Sequence, residues 1–379
     1  MKHRFLKRIC ATALAALTAL SLTACGEAPA TTGNLGSTTI ELVFGGDVKI
    51  TSTTVAAGKT ATGYDYSPVF LDVAHLLAQA DGAILNFEGT VGTGAHEAPM
   101  ALVKALDNMG VDFLQTANSC SVQSGISGLR STLESIRSAG MEPVGTFADG
   151  ADFRQQQGFT IREIGGIRVA FVAFTKGLGG MGLPSGSEKC VNLLYTDYTS
   201  TYHKINTTGI NSVLEAVATA QPDITIALVH WGSEDNTTIS PTQEKIKKLL
   251  LSGGVDAIIG SHSHQLQQIE YDNQAGTLVA YSLGDFFGDG TTSGSYYSLL
   301  LTLSITRDNQ TGETRLSGWD YTPIYTLMEE RDGLPMQVLR LENAIAMYEN
   351  QHITGISEAT YKNMKLALEK IAQRIAPKE

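Results

Sequence analysis

Cysteine is scarce, with four in 379 residues. Cys10 and Cys25 fall near the N-terminus, so only Cys120 and Cys190 are left for the body of the chain. That excludes a disulfide scaffold and a thiolate-rich metal cluster. Cys120 and Cys190 could still pair in an oxidising compartment. Positive charge is also in short supply: 27 Lys and Arg stand against 38 Asp and Glu, a net charge of −11. A balance of that sign argues against nucleic acid or an anionic membrane surface as partner. It favours cations, or anionic substrates where a metal screens the acids. There is no internal repeat, and no low-complexity tract beyond a short N-terminal stretch. What is plentiful is apolar surface. At 42% hydrophobic and 17% charged residues, the chain can bury a sizeable core.

The first residues are not part of that core. Lys2, Arg4, Lys7 and Arg8 precede an apolar run, Ile9 to Leu22, too short and too early for an ordinary membrane span. Leu22-Thr23-Ala24-Cys25 then resembles a bacterial lipobox, in which the cysteine is diacylated and becomes the new N-terminus. The alternative is an ordinary signal-peptidase site with an incidental cysteine. Residues 1–24 are therefore expected to be a lipoprotein signal peptide. Residues 25–38 would be lipidated Cys25 and a flexible tether rich in small and polar residues. Removing residues 1–24 takes away four basic residues and no acids, so the net charge becomes −15. The expected location is extracytoplasmic, lipid-anchored to the bacterial cell membrane.

The body alternates strands and helices, the pattern of an α/β domain over 39–330. Strands are expected over Ile40–Val48, Gly82–Gly89, Val111–Asn118, Asp223–His230 and Val255–Ile259, the last feeding a turn at Gly260-Ser261. Hairpins are expected around Gly165-Gly166, Asp272-Asn273 and Asp308–Gly312. Between them lie amphipathic helices, one opening at Ser67-Pro68 and others over Ala101–Met109, Ser127–Ala139, Asn211–Ala220 and Pro241–Leu251. Helical patterns at Met336–Tyr348 and Glu358–Arg374 make 331–379 a C-terminal helical extension packed on the domain.

Polar residues fall in a regular place. Asp47, Glu88, Asn118, His230 and the pair His262/His264 each sit just past an apolar strand. Strands that deliver oxygen and nitrogen ligands to one rim build a site at the edge of a sheet. His262 and His264, at i and i+2, can face one ion only if the backbone is bent, because a regular strand would send them to opposite faces. Carboxylates, an amide and imidazoles suit a borderline divalent ion. A bridging carboxylate among them could hold two ions, which generate hydroxide and clamp both oxygens of an in-line phosphoryl displacement. Each residue also has a plainer reading. Asp47 could cap the next segment, Glu88 and Asn118 could brace turns, and His230 could be a core histidine beside Trp231. All of them failing together is harder to reconcile with their recurrence at strand ends.

The ordered set Phe44-Gly45-Gly46-Asp47-Val48, Leu85-Asn86-Phe87-Glu88-Gly89, Thr116-Ala117-Asn118, His230-Trp231-Gly232, Gly260-Ser261-His262-Ser263-His264 and Tyr281-Ser282-Leu283-Gly284-Asp285-Phe286 resembles the capsule-synthesis CapA family. These are poly-γ-glutamate biosynthesis proteins related to the calcineurin-like metallophosphoesterases, and the resemblance runs from about Thr38 to Tyr325. It implies a four-layer α/β/β/α sandwich of two mixed sheets. It also implies a divalent-metal site of one or two ions (Mn, Fe or Zn) held by Asp47, Glu88, Asn118, His230, His262 and His264.

The chain departs from the family pattern in three places. Lys49 stands where metallophosphoesterases carry a histidine and the family an apolar residue, and it could bind a phosphate or carboxylate. The family's Ala-Asn-Asn-His is Ala117-Asn118-Ser119-Cys120 here, with Gln123 in place of a later aspartate. This leaves open whether Asn118 or Ser119 is the ligand, and it removes the histidine that would protonate a leaving oxygen. Asn of the last motif is Asp285. Two functions follow as expectations. One is a metal-dependent hydrolase of phosphoester or amide bonds acting in capsule or poly-γ-glutamate synthesis or export. The other is a catalytically degenerate accessory that binds an anionic surface polymer or its precursor. Either could work beside a membrane synthase complex.

Overall fold

A computed structural model describes residues 36–292, 294–353 and 355–375. The chain divides after Gly36, and the expected signal, Cys25 and most of the tether lie outside the described residues.

Two mixed sheets form the body. The first has the order β14-β13-β12-β1-β2-β3-β4, with β11 also pairing β1. Its strands are β1 (Ser37–Lys49), β2 (Gly82–Glu88), β3 (Phe113–Gln115), β4 (Glu142–Val144), β11 (Asp285–Phe287), β12 (Tyr297–Asp308), β13 (Thr314–Leu327) and β14 (Gln337–Arg340). The second has the order β5-β6-β7-β8-β10-β9. It comprises β5 (Phe159–Ile164), β6 (Ile167–Thr175), β7 (Ile224–His230), β8 (Ala257–Ser261), β9 (Ile269–Asp272) and β10 (Thr277–Ala280). In the first sheet β1 to β4 are parallel, and in the second β6, β7, β8 and β10 are parallel. Their carboxyl ends therefore gather at one rim of each sheet.

Alternation along β1 sorts its side chains between two cores. Ile40, Leu42 and Phe44 enter the layer between the sheets, where they join Phe113, Phe171, Ile226 and Ile259. The rings of Phe113 and Phe171, one from each sheet, lie 4.6 Å apart. Val43 belongs instead to the outer core of the first sheet, with Leu85, Phe70, Leu77, Leu102 and Leu106. Val172, Val229 and Ile258 of the second sheet pack outward on Ile210, Val213, Ile246 and Leu250. Three apolar layers separating helix, sheet, sheet and helix make the α/β/β/α sandwich.

The C-terminal helices, Leu341–Glu349 and Glu358–Ile375, extend the central layer. Their Ala344, Met364, Ala367 and Ile371 share a core with Leu299, Leu301, Tyr325 and Leu339 of β12, β13 and β14. The helix expected from Met336 begins later, because Gln337–Arg340 pairs antiparallel with Ile324–Leu327. Partner strands outweigh local helical pattern at this sheet edge. The segment opened by Ser67-Pro68 runs as successive turns up to Val73 and becomes regular helix only over Ala74–Gln79. The third strand is confined to Phe113–Gln115. Cys120 and Cys190 are both free thiols.

Candidate metal centre

Local sequence explains how the rim is shaped. Between Phe44 and Asp47 the pairing of β1 with β2 shifts register, so Gly45-Gly46 forms an irregularity ahead of Asp47. Up to Phe44 the strand pairs with β12, and at Asp47 and Val48 β11 takes over the same edge. Gly46 is required at the junction: a Cβ there would lie 1.7 Å from the Gly284 carbonyl oxygen. Asp47 N–H donates to that same carbonyl at 2.9 Å. In the second sheet Gly260 leaves room for Trp231, since its Cβ would meet Trp231 Nε1 at 2.6 Å. Trp231 is fully buried, stacks on Tyr281 and donates from Nε1 to the Tyr281 carbonyl at 2.8 Å. Burying a side chain of this size removes roughly 150–250 Å² from water, worth about 4–6 kcal/mol. That anchors the turn beside His230.

The two histidines after β8 have left-handed backbones, φ +90° at His262 and +55° at His264. For a residue with a Cβ this conformation costs about 1–2 kcal/mol each. It supplies the bend that lets both imidazoles approach Glu88. The His262 N–H donates to Asp47 Oδ2 at 3.3 Å, tying the turn of the second sheet to the first.

Around this junction the ligand-type atoms form two groups, Asp47–Glu88–His264 and Glu88–His230–His262, each with its atoms within 4.8 Å of one another. Glu88 belongs to both. Its Oε1 lies 3.4 Å from His230 Nε2 and its Oε2 3.7 Å from His264 Nε2. Every one of these residues is buried. Asp47 is held by the side-chain amide of Asn86, which donates to Oδ1. His264 Nδ1 is 2.7 Å from Asp285 Oδ1 and 3.4 Å from Asp47 Oδ2. A carboxylate on the far ring nitrogen is how proteins fix the orientation and basicity of a metal-ligating histidine.

Electrostatics separates the imidazoles. Burial, with His230, Lys176 and His264 nearby, holds His262 well below the ordinary histidine range, so it is neutral with a lone pair to offer. Burial acts the same way on His264, but hydrogen bonds to Asp285 and Asp47 outweigh it and push the group up to about 12. Asp285 is pushed up to about 7 by burial, with the charge of Asp47 adding and His264 opposing. Asp47 is buried too, yet contacts with His264, His230 and Asn86 keep it below the carboxylate range. A proton on His264 thus balances a cluster of buried acids, and a divalent cation is the species able to displace it.

The donor set fits such a cation. Glu88 Oε2 and Asp285 Oδ2 are buried oxygens with no hydrogen-bond partner among the described residues. A buried orphan oxygen costs roughly 1–3 kcal/mol, more when charged, and an ion beside Glu88 would remove that cost.

Of the residues expected at the site, Asp47, Glu88, His230, His262 and His264 come together. Asn118 sits behind them. Its Nδ2 donates to Asn86 Oδ1 at 3.1 Å and to the Phe87 carbonyl at 2.7 Å, while its Oδ1 accepts from Cys120 N–H at 3.1 Å. Ser119, one residue on, is the group at the centre: its Oγ lies 2.9 Å from His230 Nε2 and 3.4 Å from His262 Nδ1. Lys49 is 3.7 Å from Asp289. Burial opposes its charge, but Asp289, Asp285, Glu88 and Glu234 raise it above the ordinary lysine range. Cys120 is half-buried, and burial pushes its thiol up, with Glu88 and Glu234 adding. Of the two ligand alternatives in the third motif, Asn118 and Ser119, Ser119 is thus the one at the histidines, while Asn86, Ser261 and Asp285 are site residues that the sequence does not single out. All three stand inside the quoted motifs, and Ser261, 3.0 Å from His230 Nδ1, carries no signal beyond its place before His262.

The model of bacterial capsule synthesis protein PGA_cap matches residues 41–289, which contain every one of these groups. The chain belongs to that family. Among curated relatives, the capsule biosynthesis protein CapA of Bacillus anthracis is 26% identical over 267 residues, 66% of this chain and 60% of that protein. The PGA biosynthesis protein CapA of Bacillus subtilis (strain 168) is 24% identical over 244 residues, 62% of this chain and 58% of that protein. The chain thus aligns with less than two thirds of either CapA relative. Among solved structures it is similar to the calcineurin-like phosphoesterase YfkN of Bacillus subtilis, at 14% identity and a TM-score of 0.44 over 87% of this chain and 99% of that one. This member of the capsule-synthesis family therefore has an α/β/β/α sandwich of two mixed sheets. Its buried His/Asp/Glu groups are compatible with a divalent metal.

Proposed function

We propose that this chain is a lipid-anchored, extracytoplasmic CapA-family protein that acts in capsule or poly-γ-glutamate synthesis or export through a two-ion divalent centre. The observation that carries the reading is Glu88, a buried carboxylate shared by two ligand groups, one oxygen of which has no hydrogen-bond partner among the described residues. When bound, such ions supply Lewis-acid activation of water and charge stabilisation at a phosphoryl or carbonyl oxygen. The chain's own residues arrange the rest. Asn86 and the His262 N–H fix Asp47, Asp285 orients the His264 ring, and neutral His262 presents a lone pair beside Ser119. The anchor is supported by the Leu22–Cys25 pattern and the tether after it. A polymer or precursor with negative charge is supported by the family and by a screened acidic site. A membrane synthase complex is supported by the family and the anchor together.

Cys120 favours a second reading. It occupies the place where the family carries a histidine, and a thiol pushed up by burial is a poor proton donor at neutral pH. On that reading the protein binds polymer without turnover. The test is hydrolysis of phosphodiester and γ-glutamyl substrates by the Mn-loaded full chain, with His262→Ala as background. Turnover above background, raised roughly a hundredfold by Cys120→His, supports the enzyme. Equal rates in all three proteins leave the accessory role. Loss of membrane retention in Cys25→Ala checks the anchor.

A further inference from the structure

Beside the second ligand group lies a cleft of about 220 Å³, lined by Ser119, His262, Lys176, Tyr202 and Glu234 among others. Lys176 directly follows β6, and its N–H donates to the His230 carbonyl at 2.8 Å. It obeys the same strand-end placement as the ligand residues. Its side chain is half-buried and held in position: Nζ donates to the Gly232 carbonyl at 2.6 Å and lies 4.7 Å from the centre of the Tyr202 ring.

The wall bearing Tyr202 is itself built. Tyr202 has a left-handed backbone, φ +54°. The carboxylate of Asp197 fixes the turn around it, accepting from the Thr201 hydroxyl and from the N–H groups of His203 and Lys204. Gly177 leaves space for the ring, since a Cβ there would meet Tyr202 Cε1 at 2.7 Å.

Lys176 forms no ion pair among the described residues, in contrast to Lys49, which faces Asp289. Burial lowers its affinity for a proton, and the nearby exposed Glu234 partly restores it. A half-buried ammonium has donor capacity left over after one carbonyl. An incoming oxyanion would satisfy it at short range and in reduced dielectric.

We propose that this cleft is the substrate-side subsite of the centre, in which Lys176 holds a carboxylate or phosphate oxyanion of the substrate beside Ser119 and His262. The proposal rests on the reading of the neighbouring groups as a metal centre. It makes Lys176 the residue that selects anionic substrates in a chain whose overall charge would repel them. Glu234, at the same cleft, competes with the substrate for the ammonium.

The experiment is calorimetric titration of the full chain, Mn-loaded and chelator-treated, with inorganic phosphate and separately with a γ-linked glutamate tetramer. Metal content is measured on the same samples. Lys176→Met should weaken the probe that the wild type takes about ten- to a hundredfold, with metal content unchanged. Lys176→Arg should restore most of it, and Glu234→Gln should tighten it. Dependence on Lys176 for phosphate alone, or for the tetramer alone, identifies the oxyanion. Failure of the wild type to bind either probe overturns the proposal, as does equal affinity in Lys176→Met. If Lys176→Met does not fold, unaltered affinity in Glu234→Gln overturns it. A metal-free wild type sinks the metal reading alone, because phosphate binding by the chelator-treated protein still reports on Lys176.

Discussion

Replacing Asp285 by asparagine separates the role of its charge from that of its shape. Asp285 and His264 are both buried, and Oδ1 lies 2.7 Å from Nδ1. The amide oxygen of the substituted side chain can accept the same hydrogen bond, so the ring should keep its orientation. What disappears is the negative charge that raises the basicity of His264. Removing an outer carboxylate of this kind typically lowers metal affinity 10- to 100-fold, about 1.4–2.7 kcal/mol. Metal-free stability should change much less. Burial already pushes the Asp285 carboxyl up to about 7, so above neutral pH its ionised form is itself a burden on the fold. Competition between the protein and a chromophoric chelator for Mn or Zn measures the affinity, and thermal melting of the stripped protein measures the fold. Unchanged affinity in Asp285→Asn would refute the assignment of His264 as a ligand oriented by Asp285.

Three further outcomes follow from the same geometry. The metal-free protein should lose stability as pH rises above 6.5, because His264 holds a proton up to about 12 when folded and only to 6.5 when unfolded. Metal must displace that proton, so apparent affinity should rise up to about tenfold per pH unit between pH 6.5 and 9; a flat profile would contradict the role of His264. Gly46→Ala should abolish metal binding and destabilise the chain by several kcal/mol, since the Cβ meets the backbone of Gly284 at 1.7 Å and neither strand can move freely. Wild-type melting in that variant would show that the β1–β11 junction is not as close as it stands.

Much of this centre could be read from the chain because its candidate ligands obey one rule. Asp47, Glu88, His230 and His262/His264 end long apolar strands whose burial gives a clear pattern, and parallel strands bring those ends to one rim. Legibility failed where a strand was short or a residue acted through a neighbour. The pattern pointed to Asn118, but β3 stops at Gln115, and the turn beyond it brings Ser119 to the histidines and leaves Asn118 as a brace. Asp285 opens a strand of three residues whose partner, β1, lies far away in sequence. Lys176 lies beyond the hairpin expected around Gly165-Gly166 and has no signal of its own, because its interest depends on Tyr202 and Gly232, which only the tertiary structure brings near. The strand at Gln337–Arg340 was hidden in the same way, since nothing local distinguishes it from the helix that follows.

On the proposed reading, Glu88 joins two ligand groups into one divalent centre. Elemental analysis of the full chain, purified from metal-supplemented cells and passed through gel filtration, tests it against Glu88→Gln prepared identically. Stoichiometric Mn, Fe or Zn is expected in the wild type, with loss from both groups in the variant. A metal-free wild type, or a variant that keeps its full complement, would contradict it.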